Sequence, residues 1–169
     1  MTTIPGAAAA ALISDSQSSI DARASMTGLE FFRRMVAGAV PPPPMAALLG
    51  MRMIEADKGR VVFAGEPGEA HYNGMGVAHG GYLATLLDSA LGCAINTCMP
   101  AGKYFTTLEL KINYTRPVVA GVGTLRCEAT VIHVGNRVGT AEARVVGEDG
   151  KLYAHATTTC IAVVSTAAR

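Results

Sequence analysis

Asp88 is the only acidic residue between Glu69 and Glu109, in a stretch otherwise rich in apolar and small residues. A carboxylate in such company is costly to bury unless it is hydrogen-bonded or partly wet. It can serve as a base or nucleophile in a cleft, or be a solvated side chain on an open edge. Nine residues earlier stands His79, followed by Gly80 and Gly81. Glycines that open a helix leave backbone N–H groups uncovered at its electropositive end. Such a group can hold the oxyanion of a carbonyl under attack, while a plain turn built with glycines is the bland reading. Asn73 lies six residues before His79 in Tyr72-Asn73-Gly74, suited to a substrate contact or simply to a turn. His71, His133 and His155 are scattered, and no Ser/His/Asp triad or phosphate loop is visible. The cysteines Cys93, Cys98, Cys127 and Cys160 form no CxxC pair, so neither a metal nor a cofactor is expected.

These residues need a helix and strands to position them. The stretch from about His79 to Met99 reads as one strong helix. Stepped at about 100° per residue, its apolar positions cover an arc of about 220°, wider than a surface helix buries. Asp88 falls at the edge of that arc. The helix should therefore be wrapped on most sides, and antiparallel strands are the available wrapping. Two strands are expected before it, over 51–56 and 60–66, and four after it, over 105–114, 124–134, 137–146 and 152–163. Strand alternation over 105–114 puts Thr107 on the polar face and Thr106 on the apolar face, unless a bulge shifts the phase. Three zones follow. Residues 1–26 form a mobile, Ala/Ser-rich tail. Residues 27–45 form a short helix, opened by a Thr27/Glu30 capping box, and an extended connector of four prolines. Residues 46–164 form the main α+β domain.

Composition narrows the function class. The chain has 169 residues, the size of one domain, with 16% charged residues and a net charge of +1. No basic field exists to hold nucleic acid or an anionic membrane. No run of about 20 apolar residues is long enough to span a bilayer, because Pro41 to Pro44 and the short span of 89–102 interrupt the candidates. So little charge predicts surface hidden in a homo-oligomer. The beginning lacks a signal-peptide pattern, and cysteines within apolar patterns fit a reducing, cytoplasmic setting.

Asn73, His79-Gly80-Gly81, Asp88, Thr106-Thr107-Leu108-Glu109-Leu110 and Asn113-Tyr114-Thr115-Arg116-Pro117 together resemble the hotdog-fold acyl-CoA thioesterases of the phenylacetate-pathway, PaaI-like type. The resemblance runs from about residue 28 to 164. It implies a curved antiparallel sheet around a long central helix, paired into dimers or dimers of dimers (tetramers) with active sites between subunits. It implies an acyl-CoA substrate. Asp88 would attack the thioester carbonyl or activate water, the Gly80 N–H would polarise the carbonyl, and Asn73 would act from the other subunit. His79 would order the loop and Thr107 would assist Asp88. Gly81, Thr106, Asn136 and Arg137 would contact the substrate, Arg137 at a commonly basic position. The competing expectations are a hotdog enoyl-CoA hydratase or dehydratase and a non-catalytic acyl-CoA-binding protein.

Overall fold

The computed structural model describes residues 23–164, apart from the side chain of Val164. The elements are α1 (Gly28–Val36), α2 (Pro44–Leu48), β1 (Met51–Asp57), β2 (Arg60–Gly65), a 3-10 turn (Glu69–His71), α3 (Gly80–Asn96), β3 (Lys103–Tyr114), β4 (Leu125–Val134), β5 (Val138–Val146) and β6 (Leu152–Val164). All strand pairs are antiparallel, in the order β1-β2-β4-β5-β6-β3. The sheet curls around α3, which touches all six strands. This is the α+β arrangement expected from the alternation pattern, with strand ends shifted by one or two residues.

The burial of α3 is sharper than the sequence pattern. Tyr82, Leu83, Leu86, Leu87, Ala90, Leu91, Ala94 and Ile95 are buried. They repeat as adjacent pairs four residues apart, one continuous face that meets Val61, Leu125, Cys127 and Val145 in the core. Ala129, Ala141 and Ala143 on the strands are small enough to let the helix approach closely. The other side carries Gly81, Thr85, Asp88, Ser89, Gly92 and Asn96, none fully buried. The buried residues span the expected arc of about 220°, and within it only Ala84 and Cys93 are not fully buried.

At the beginning, Thr27 caps α1 as expected. Its hydroxyl accepts from the Glu30 N–H, and the Glu30 carboxylate accepts from the Thr27 N–H. Phe31 and Phe32 are buried and anchor α1 to the domain. The Gly28 N–H donates to the Met99 carbonyl at 3.0 Å, and a Cβ at Gly28 would overlap the Asn96 carbonyl. The proline connector is shorter than expected. Pro43 is extended, but Pro44 sits in the first turn of α2, where a missing N–H costs nothing. Most of the expected tail lies outside the described residues. Its last part is placed: the Arg23 guanidinium donates to Asn96 Oδ1 and the Lys103 carbonyl, both at 3.3 Å.

Candidate active site

Asp88 sits half-buried in the middle of the open side of α3. The Thr107 hydroxyl of β3 donates to its Oδ1 at 2.8 Å. The Cys160 thiol approaches the Thr107 oxygen at 3.9 Å, which leaves the hydroxyl proton free for the carboxylate. Asp88 Oδ2 has no hydrogen-bond partner among the described residues. One oxygen is thus oriented and the other is available.

Thr107 reaches Asp88 because β3 carries a bulge. Thr107 pairs with Cys160, while Glu109 pairs with Thr159, so Leu108 is the extra residue. Phe105 and Thr107 face the helix before it, and Leu110 and Ile112 pack against the core after it. The bulge allowed for in the sequence is present and brings Thr107 to the helix: Leu108 is 60% exposed, and Thr106 points away from the helix rather than toward it as plain alternation would have had it. Thr106 does not join the Asp88 cluster.

The N-terminus of α3 is a second cluster. His79 is the N-cap, and its Nδ1 accepts from the Gly81 N–H at 2.8 Å. The proton of the neutral imidazole therefore stands on Nε2. The His79 N–H donates to the His71 carbonyl at 2.8 Å, which ties the loop to the 3-10 turn. The Gly81 donor is consumed by the cap, whereas the Gly80 N–H has no acceptor among the described residues. One bare donor at a helix N-terminus is what an oxyanion requires. Asn73 Oδ1 accepts from the N–H groups of Met75 and Val77, at 2.9 and 3.4 Å, and its amide NH2 has no hydrogen-bond partner among the described residues.

Asn73 and Gly80 line one shallow groove together with Tyr114, Arg116 and Val118. The Tyr114 hydroxyl donates to the Gly80 carbonyl at 3.0 Å. A Cβ at Gly80 would come within 3.3 Å of the Tyr114 ring, so the close approach favours glycine. Sequence reading assigned no role to Tyr114 or Arg116. The available signal was their place at the end of a strand that begins beside Asp88.

Asn136 and Arg137 are not brought to either cluster. They precede β5 near the start of β3, where the Lys103 ammonium donates to the Asn136 carbonyl at 3.0 Å. Gly80 and Asp88 are themselves eight residues apart on one helix, about 12 Å along its axis. A single carbonyl cannot touch both groups of the same chain.

Comparison with known proteins gives this arrangement a context. The Escherichia coli acyl-coenzyme A thioesterase PaaI is 31% identical over 109 residues, covering 64% of this chain and 75% of PaaI. The thioesterase superfamily profile matches residues 75–154. This chain belongs to the thioesterase superfamily. Its fold is the hotdog fold, as the PaaI-like resemblance implied. The solved E. coli PaaI protein, from the phenylacetic acid degradation operon, superposes with a TM-score of 0.71 at 26% identity, over 80% of this chain and 95% of that one. The phenylacetic acid degradation protein PaaI of Thermus thermophilus gives 0.63 at 34% identity, over 70% and 97%. A Halobacterium salinarum relative is 40% identical over 78 residues, and this thioesterase-superfamily chain spans 50% of its length. No helix among the described residues is long and apolar enough to cross a membrane.

Proposed function

We propose that this protein hydrolyses acyl-CoA thioesters to the free acid and CoA, at sites built from two copies of the chain. The observation that carries this is the Asp88–Thr107 pair on the open side of α3, with one carboxylate oxygen held and the other free. Asp88 of one copy activates water or attacks the thioester carbonyl itself. Both routes need the ionised carboxylate, and both pass through a tetrahedral oxyanion. The bare Gly80 N–H of the other copy receives that oxyanion, with the Asn73 amide beside it. Collapse expels the CoA thiolate, leaving the free acid where water attacked, or an acyl–Asp88 anhydride that a water then hydrolyses to the free acid and the carboxylate. Neither route needs a cofactor, because a thioester carbonyl is already reactive.

The two-copy assignment rests on the helix spacing and on the bare edge of β3. Asn96 occupies both backbone groups of Phe105, but from Thr106 to Asn113 the backbone pairs only with β6. A second β3 can continue the sheet there.

The test is complementation in a free-thiol release assay. Asp88→Ala removes the carboxylate. Gly80→Pro removes the N–H at the first helical position, after a residue already extended (His79 ψ 138°), and Gly80→Ala, which brings the same Cβ against Tyr114 but keeps the N–H, is its control. Asp88→Ala and Gly80→Pro should each be inactive alone. Reassorted together they should recover about a quarter of wild-type activity, since half the dimers are mixed and each mixed dimer keeps one intact site. Full activity in the Asp88→Ala protein sinks the proposal. Loss of enoyl absorbance without thiol release would instead indicate a hydratase.

A further inference from the structure

A cavity of about 660 Å³ lies between the N-terminal segment and the open side of α3. One wall is Thr85, Ser89 and Cys93 of α3. Ser89 follows Asp88 directly and Thr85 stands one turn before it, so this wall begins beside the carboxylate. The facing wall comes from Phe32 and Met35 of α1 and from Pro43 at the end of the connector. These facing residues precede the segment matched to the superfamily, residues 75–154.

We propose that this cavity holds the acyl group, that the substrates are medium- to long-chain fatty acyl thioesters, and that the segment from Arg23 to Ala46 sets the accepted length. This rests on the reading of Asp88 as the group that meets the thioester carbonyl. With the carbonyl at Asp88, the acyl group has the cavity as its neighbouring space. From Thr85 to Cys93 the slot follows the helix for about 12 Å. Its volume is within the 300–1,000 Å³ usual for small-molecule sites, and a two-carbon acyl group would leave most of it empty.

The walls suit a chain without functional groups. No carboxylate among the described residues lines the cavity. The Cys93 thiol is pushed up to about 12 by burial, so it presents a neutral, soft wall rather than a nucleophile. Arg23 and Lys103 are the charged residues among the described lining, and the Arg23 guanidinium engages the protein through Nη2, while its Nη1 has no hydrogen-bond partner among the described residues. The Arg23 guanidinium lies over the rings of Phe31 and Phe32 at 5.8 and 5.9 Å, and donates to Asn96 and Lys103. The Lys103 ammonium is spent on Asn136. Arg23 thereby closes the end of the slot farthest from Thr85. Met35 is unbranched and adaptable, as a wall facing flexible chains should be.

The experiment uses the full chain and two bulky variants outside the catalytic residues, Met35→Trp and Cys93→Leu, each checked by its melting curve. The readouts are kcat/KM for acetyl-, octanoyl-, palmitoyl- and phenylacetyl-CoA, and calorimetric binding of S-hexadecyl-CoA, a thioether that cannot be cleaved. Wild type should prefer octanoyl- or palmitoyl-CoA over acetyl- and phenylacetyl-CoA by at least about tenfold. The variants should lose at least about tenfold on palmitoyl-CoA while acetyl-CoA hydrolysis stays within about twofold. A preference for acetyl or phenylacetyl groups overturns the inference and leaves thioester hydrolysis standing. An equal loss on all four substrates in both folded variants also overturns it. If no thioester is cleaved but S-hexadecyl-CoA binds and Met35→Trp weakens that binding, the cavity assignment stands and the hydrolysis reading falls. Absence of S-hexadecyl-CoA binding overturns the assignment.

Discussion

The two edges of the sheet are finished differently. β1 is seven residues long, carries an irregularity between Met53 and Glu55, and is covered by α1 and α2. The Arg33 guanidinium of α1 donates to the Ala56 carbonyl at 3.3 Å and pairs with Asp57 at 3.2 Å. β3 is twelve residues long, and beyond Phe105 its outer side pairs with no other strand among the described residues. Tyr104, Leu108 and Tyr114 stand exposed along it. Long uncovered edges invite another strand, and short covered ones resist it. One edge is closed by the chain itself, while the other, beside Asp88, is where the proposed function puts the second copy.

The comparison breaks most visibly at the open edge. Leu108→Lys places a charge on that edge without touching Asp88 or Thr107. Light scattering should show loss of the oligomer, and thiol release should fall by at least about a hundredfold. An active monomer would refute the division of labour between the edges. Thr107→Val keeps the shape but removes the donor to Asp88. Activity should fall by about tenfold, a loss near 1.4 kcal/mol, with the oligomer intact.

Effects at the closed edge should appear in stability instead. Thr27→Ala removes the cap of α1 and should cost about 1 kcal/mol in denaturant melts, with thiol release from acetyl-CoA unchanged. The smallest effect is electrostatic. Glu55 is held below its ordinary 4.5 by hydrogen bonds from Arg126 and Arg60, and Glu128 by its bond from Arg60. A depressed carboxylate contributes stability that is present above its unfolded value and lost as pH falls through the folded one. Both side chains are well exposed, 40% and 43%, so screening limits the contribution to less than about 1 kcal/mol. Glu55→Gln should therefore shrink the stability lost on going from pH 6 to pH 3 only slightly. A large change would mean that β1 depends on these ion pairs more than on the cover of α1.

The fold was legible because hydrophobic period speaks directly about burial. The central helix, six strands and the Thr27/Glu30 box follow from residue types and spacing. The Asp88 and Gly80 clusters were legible as positions, since an isolated acid and a glycine-rich helix start are uncommon in apolar sequence. Their local partners were less so. Thr107 was legible through the family resemblance but not through alternation, because a bulge breaks the period without any distinctive residue: Leu108 looks like another core position. The open side of α3 was legible in the arc of Thr85, Asp88, Ser89, Gly92 and Asn96, but Ala84 and Cys93 could not be assigned, because small residues are equally at home against a sheet or beside a gap. Arg23 was hidden because its contacts, Asn96 and Lys103, are remote in the chain.

The bulge lets two halves of β3 that are out of phase in the sequence share one face. Before Leu108 the odd-numbered residues address the helix, and after it the even-numbered ones do. Deleting Leu108 would bring Phe105, Thr107, Leu110 and Ile112 into one regular alternation on the helix side, with no bulge. Were the bulge ironed out with Leu108 kept, either Phe105 and Thr107, or Leu110 and Ile112, would have to leave that side. The place of Thr107, and through it the orientation of Asp88, thus depends on how the strand absorbs one surplus residue whose own side chain faces away.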